Sequence, residues 1–131
     1  KASIVALTYI ASSRYLNGYN DMADAKALLE SITRNFGGIL GEKKNIRINT
    51  ISQSPLPTRA GAAFDEMDHF RQISDKMAPL GNASADDCAD LCVMLFSDYT
   101  RKITMQNIYN DGGFSATALS ATFKDYYRNK I

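Results

Sequence analysis

Two short apolar, partly β-branched runs, SIVALTYI at 3–10 and IRINTI at 46–51, flank a long stretch with the periodicity of a helix. Over residues 19–40 the side chains of Met22, Ala25, Leu29, Ile32, Phe36 and Ile39 recur every three or four positions, one stripe of an amphipathic helix that faces a core or a partner. A helix of more than 20 residues between two short strands is a βαβ unit, which makes the strands parallel and the crossover right-handed. Parallel strands need cover on both faces, so this one unit already demands an α/β fold with further helices. Gly37-Gly38 should loosen the last turn of the long helix, and Gly41 suits its stop.

The rest of the chain supplies those helices. SQSPLPTRAGA at 52–62 reads as a loop from its prolines and small residues. Residues 64–77 carry Phe64, Met67, Phe70, Ile73 and Met77 at helical spacing, and Pro79 and Gly81 end that helix. Ser84 with Asp87 three positions on forms a capping box with Asp in place of Glu, opening a helix to about Ser97. ITMQNIY at 103–109 reads as a third strand, NDGG as a turn, and the polar, aromatic tail from Ala118 as a last helix on a surface or interface. Three strands with three to four helices are too few for a complete doubly wound sheet. No glycine-rich phosphate loop follows a strand: Gly37-Gly38 lies within a helix and Gly112-Gly113 follows the last strand. The pattern is that of half an α/β domain. The chain opens on Lys1 rather than Met, and the expectation is that its natural start lies upstream.

Composition removes several function classes. The 131 residues, 45% hydrophobic, suffice for one modest core. Fifteen basic against fourteen acidic residues leave a net charge of +1, without the footprint of a nucleic-acid binder. No apolar run approaches the roughly 18 residues of a membrane span, and no secretory signal opens the chain. Cys88 and Cys92 sit four apart in an apolar helical stretch, with His69 the single histidine, so the expected reading is two core thiols and no metal site. Free thiols fit a reducing compartment such as the cytoplasm. His69, among Asp65, Glu66 and Asp68, reads as a solvated surface residue.

Tyr19 and Lys26, in NGYNDMADAK, are seven positions apart, two helical turns, and fall about 20° apart on the flank of the apolar stripe. A neighbouring ammonium lowers a phenol's pKa from about 10 and makes it a better donor to a developing oxyanion. On spacing alone the pair reads first as a snorkelling lysine beside a partly buried tyrosine, since such pairs are common on helices. Their place shifts the weight to the oxyanion-donor reading. The helix follows a buried strand, so its start lies at the carboxyl edge of the sheet, where open α/β sheets bind ligands. Tyr9 ends that strand, and Pro55-Leu56-Pro57-Thr58 leaves the carboxyl end of the next.

These residues resemble the C-terminal half of a short-chain dehydrogenase/reductase, a Rossmann-like doubly wound parallel sheet, and more narrowly the NADH-dependent enoyl-[acyl-carrier-protein] reductases of bacterial fatty-acid synthesis. Most of that superfamily separates its active tyrosine and lysine by three residues. The enoyl reductases separate them by six, as Tyr19 and Lys26 are separated, and carry an upstream tyrosine at the position of Tyr9. NIRINTIS-x-SPLPT, MAPLGN, LCVMLFSD and ITMQNIYNDGGFS resemble that group's segments in the same order over about residues 3–115. Ser54 stands where the group has glycine, and Leu56 where it has isoleucine.

The resemblance implies an enzyme that reduces the trans-2 double bond of an enoyl thioester on acyl carrier protein. Tyr19 would serve the thioester oxygen and Lys26 the nicotinamide ribose of NADH. Pro55, Leu56 and Thr58 would line the nicotinamide and pyrophosphate side. Tyr9, Tyr19, Met22 and Phe64 would meet substrate, although Tyr9 reads equally as a packed strand-end aromatic. The residue that separates NADH from NADPH lies upstream by the same resemblance, as does the dinucleotide-binding half. Residues 59–77 correspond to the segment that closes over substrate in the group, and the long helix to one used in a homotetramer. Two alternatives are a reductase of the same superfamily acting on a carbonyl and a non-catalytic domain of the same fold. The tyrosine–lysine spacing and Tyr9 argue against the first, and retention of both Tyr19 and Lys26 against the second. Tyr126 and Lys130 also have the superfamily's three-residue separation, but sit in the tail with no strand before them.

Overall fold

β1 (Ala2–Thr8), β2 (Ile46–Gln53) and β3 (Asn107–Asn110) form one sheet in that order, all parallel. The structure is a computed structural model and describes residues 2–59 and 67–130. Among the described residues the sheet is accompanied by four α-helices: α1 (Asn20–Lys44), α2 (Met67–Met77), α3 (Ala85–Phe96) and α4 (Ala121–Arg128). The register pairs Thr8 with Ser52 and Gln53 with Asn110, so the carboxyl ends of the three strands share one edge. β2 is central and buried from Arg47 to Gln53.

α3 covers one face of the sheet. Ile51, Cys88 and Leu95 form its core with Val5, Leu91, Cys92 and Ile108 packed around them. Both thiols are free, as expected, and burial pushes the Cys88 thiol up, with Cys92 adding to the shift. The capping box is present: Ser84 Oγ accepts from the Asp87 N–H at 3.1 Å, and Asp87 Oδ2 accepts from the Ser84 N–H at 2.7 Å. Arg47, beneath α3, donates to the carbonyls of Leu95 at 2.7 Å, Ser97 at 3.2 Å and Ile103 at 3.2 Å. A cation at a helix C-terminus opposes the negative end of the dipole and supplies the donors that the last carbonyls lack.

α1 covers the other face, with its apolar stripe turned away from the sheet. Its sheet side is small and polar: Ala23, Ala27 and Glu30 are half-buried, and Thr33 and Gly37 are buried. Met22, Ile32, Phe36 and Ile39 of the apolar stripe are exposed, Phe36 by 52%. Close approach explains the choice. A Cβ on Gly37 would lie 2.6 Å from Met105 Cγ, so a stripe of large residues could not sit there. Neither Gly37-Gly38 nor Gly41 ends the helix. It runs to Lys44 and stops on Asn45, in the left-handed region at φ 54°, whose N–H returns to the Gly41 carbonyl at 3.1 Å.

The other boundaries shift for local reasons. β1 ends at Thr8, because Tyr9 leads into a single 3-10 turn over Ile10–Ser12. β3 begins at Asn107 rather than residue 103. Met105 has φ 60°, which breaks the ladder, and the buried Asn49 side chain pairs with this stretch instead, donating to Ile103 O at 3.0 Å and accepting from Gln106 N at 3.1 Å. After β3, Asp111 accepts from the N–H groups of Gly113 and Ser115, each at 3.0 Å, closing the turn. That turn docks tightly: Leu80 N donates to Gly112 O at 3.0 Å, and a Cβ on Gly112 would lie 1.8 Å from Gly81 O.

The tail forms α4, capped by Ser120, whose hydroxyl also donates to Lys76 O on α2. The ammonium of Lys130 lies 5.3 Å from the centre of the Tyr126 ring, a surface cation–π pair. No described helix is long and apolar enough to cross a membrane.

Candidate active site

The carboxyl edge of the sheet opens into a cleft of about 300 Å³. Its walls bring together Tyr9, Tyr19, Met22, Lys26, Pro55, Leu56 and Thr58, seven positions from three separate stretches of chain. Phe64, the eighth expected site residue, lies outside the described residues. Tyr126 and Lys130 do not line the cleft. Tyr126 lines a second depression between α2 and α4, together with the exposed His69.

Each wall follows from local structure. Gly18, at φ 76°, turns the chain into α1, and Tyr19 is the N-cap residue, its N–H bonded to Leu16 O at 3.2 Å. Tyr19 and Tyr9 are both buried, with ring centres 5.4 Å apart in an edge-to-face arrangement. Phe70 of α2 packs on Tyr9 at 6.2 Å, and Tyr9 Oη lies 4.0 Å from Met67 Sδ. Lys26 reaches across to β1, where its ammonium donates to Leu7 O at 2.9 Å.

The expected lowering of the Tyr19 phenol does not occur. Burial pushes it above the ordinary tyrosine value. Burial pushes the Tyr9 phenol up as well, with Tyr19 adding to the shift. Desolvation penalises phenolate, and the Lys26 ammonium is engaged by a neutral carbonyl. Both tyrosines are therefore neutral O–H donors at physiological pH.

The facing wall is the segment that leaves β2. Ser54, at the position of the group's glycine, is buried; its N–H donates to Asn110 O at 3.1 Å and its Oγ accepts from Ala83 N at 2.9 Å. The departure from glycine thus anchors the loop. Pro55 is buried, Leu56 half-buried and Thr58 exposed. Sequence reasoning missed Leu7, Thr8 and Gln53, which line the cleft together with Met67 of the segment expected to close over substrate. Their signal was position, since Leu7, Thr8 and Gln53 are the last residues of parallel strands. Gln53 donates to the carbonyls of Ala83 and Ser84, each at 3.1 Å, and accepts from Asn110 at 2.8 Å, fixing the cleft floor.

A family model for enoyl-(acyl carrier protein) reductase matches residues 1–115. The chain belongs to the enoyl-(acyl carrier protein) reductase family. Among relatives in the family, the chloroplastic NADH enoyl-[acyl-carrier-protein] reductase of Arabidopsis thaliana is 40% identical over 126 residues, covering 92% of this chain and 32% of that protein. The NADH reductase FabI of Bacillus subtilis is 35% identical, covering 88% of this chain and 45% of its own length. The structure of the FabI–NADH complex from Alistipes finegoldii superposes with a TM-score of 0.90 at 60% identity, over 92% of this chain and 43% of that one. The chain thus spans less than half the length of these family members. Their shared fold is the Rossmann-like one expected for the reductase family, carried here by three parallel strands.

α2 closes the cleft through Met67 and is braced at its other end by α4. Hydrogen exchange should therefore respond unevenly. In the full-length protein, adding NADH with an enoyl mimic is expected to slow exchange in the first turn of α2, residues 67–71, and to leave the turn before Met77 unchanged. Equal protection of the first turn with and without ligand would count against closure on substrate.

Proposed function

We propose that the protein is an enoyl-[acyl-carrier-protein] reductase that uses NADH to saturate the trans-2 double bond of an enoyl thioester, the last step of each fatty-acid elongation cycle. Residues 1–131 are its C-terminal catalytic half, and the dinucleotide-binding half lies upstream in the same Rossmann-like domain. The observation that carries this reading is the meeting of a buried phenol, an ammonium and the Ser54–Thr58 segment in one cleft at the carboxyl edge of the sheet.

The donor set suits the cofactor. Lys26 offers ammonium protons to the ribose hydroxyls at the cleft margin. Pro55 has no N–H, so Leu56 supplies the first backbone donor of the loop for a carboxamide. NADH, when bound, would supply a hydride to the β-carbon of the enoyl thioester, and a solvent-derived proton taken up at the α-carbon of the resulting enolate would complete the saturation. As the double-bond electrons shift toward the carbonyl, charge develops on the thioester oxygen. Tyr19, held neutral by burial, donates a hydrogen bond from Oη to that oxygen, an interaction stronger in the transition state than in the ground state. Tyr9 sets the edge on which the Tyr19 ring rests, and its hydroxyl lies beside Met67 on the cleft wall. Met22 and Met67 give the acyl chain an adaptable apolar wall.

NADH oxidation by the full-length protein, followed with a crotonyl thioester and with a ketoacyl thioester, tests the reading. Turnover of the crotonyl substrate alone is expected. Turnover of the ketoacyl substrate alone would assign a carbonyl reductase.

The assembly in this reading is a homotetramer in the cytoplasm. Its support is the exposed stripe Met22, Ile32, Phe36 and Ile39 of α1, which needs cover, and the free thiols of Cys88 and Cys92. Light scattering of the full-length protein at micromolar concentration is expected to give four subunits. A monomer would remove the partner from this face.

A further inference from the structure

One turn beyond Lys26 on α1, Glu30 reaches into the sheet. Its Oε1 accepts from Thr8 Oγ1 at 2.7 Å and from Asn107 Nδ2 at 3.3 Å. Asn107 in turn accepts from Thr50 Oγ1 at 3.2 Å. One carboxylate oxygen thereby joins α1 to the last residue of β1 and the first of β3, with Thr50 of β2 tied in behind. Thr8 and Thr50 are both buried.

A half-buried carboxylate on the sheet side of a helix is costly, and cover alone would be met by an apolar residue. A carboxylate adds direction. Thr8 lies between Leu7, whose carbonyl accepts from Lys26, and Tyr9, whose ring packs on Tyr19. The Lys26–Leu7 and Glu30–Thr8 bonds are successive rungs between one helix and one strand end. Sliding α1 along β1 breaks both together.

We propose that Glu30 is a positioning residue for Lys26: by holding Thr8 and Asn107 it fixes the height of α1 against β1 and so places the Lys26 ammonium in the cleft. This rests on the reading of Lys26 as the ribose-holding residue. Glu30 itself is not among the residues that line the cleft.

The test is a double-mutant cycle in the full-length protein, with NADH binding read from nicotinamide fluorescence and kcat and KM measured for a crotonyl thioester. Glu30→Ala is expected to weaken NADH binding about tenfold in the parent background and less than about twofold in Lys26→Ala, because the group it positions is then gone. Glu30→Gln keeps an acceptor oxygen and should hold binding within about threefold of the parent. A merely structural Glu30 would lower thermal stability and add its full effect in both backgrounds, which overturns the proposal. Should Glu30→Ala fail to fold, Thr8→Val, which removes the donor and keeps the shape, enters the same cycle under the same criterion. If Lys26→Ala weakens binding but the cycle is additive, only the role of Glu30 falls. If Lys26→Ala leaves NADH binding intact, the reading of Lys26 falls and the positioning role with it.

Discussion

Tyr19→Phe in the full-length protein is expected to lower kcat for an enoyl thioester by roughly 30- to 1000-fold, with a smaller change in KM. The change removes one oxygen from a buried ring and leaves the edge-to-face contact with Tyr9 in place, so stability should hardly move. Lys26→Ala should instead weaken NADH binding together with turnover, and Lys26→Arg should retain part of both, since a cation and its donors remain at a worse fit. Tyr126→Phe and Lys130→Ala, on the surface of the tail, should do little. The pH dependence carries a sign. A phenol raised by burial keeps its proton through the ordinary tyrosine range, so the donor is lost only as pH rises through that raised value. The rate should not fall with Tyr19 ionisation below about pH 10. Steady-state kinetics and cofactor titration check each part, and an unchanged kcat in Tyr19→Phe would remove the phenol from the chemistry.

The second large effect is on stability. Gly112→Ala should destabilise the full-length protein by roughly 2–5 kcal/mol, because the new methyl meets backbone and the residue sits at positive φ. The contact is the larger part. A Cβ there would lie 1.8 Å from Gly81 O, and the hydrogen bond from Leu80 N to Gly112 O resists the shift that would relieve it. Gly18→Ala is the control. It also has positive φ, with nothing within 4 Å of the added atom, so it should cost only the backbone term of about 1–2 kcal/mol. Chemical denaturation of both variants separates the two causes, and equal losses would mean that the turn is looser than its geometry.

Long-range order was legible where a residue's type admits one structural use. The βαβ unit, the Ser84–Asp87 capping box and the proline-bearing cleft loop follow from period, capping chemistry and the missing N–H of proline. The cleft was legible because Tyr9 and the loop follow strand ends and Tyr19 opens the helix at the same edge of the sheet. What escaped were choices made by tertiary packing. The apolar stripe of α1 could not show that the sheet would take the Ala23–Gly37 side, because that depends on how closely Met105 approaches. Arg47 and Asn49 read as polar alternation in a strand, yet both are buried and serve carbonyls about fifty residues away. The Tyr19 phenol was misjudged for a similar reason. Spacing gave its distance from an ammonium along the helix, and only the folded packing gave its desolvation.

The burial of β2 from Arg47 to Gln53 gives the cleft one stiff side and one compliant side. Amides in β2 can exchange with solvent only when the sheet itself opens, so this strand should mark the upper limit of local opening free energy in the protein. The Ser54–Thr58 segment is the direct continuation of that strand, whereas the opposite margin at Met67 hangs from a helix end. A binding site made this way can keep one ligand in fixed register while adjusting to the length and bulk of another.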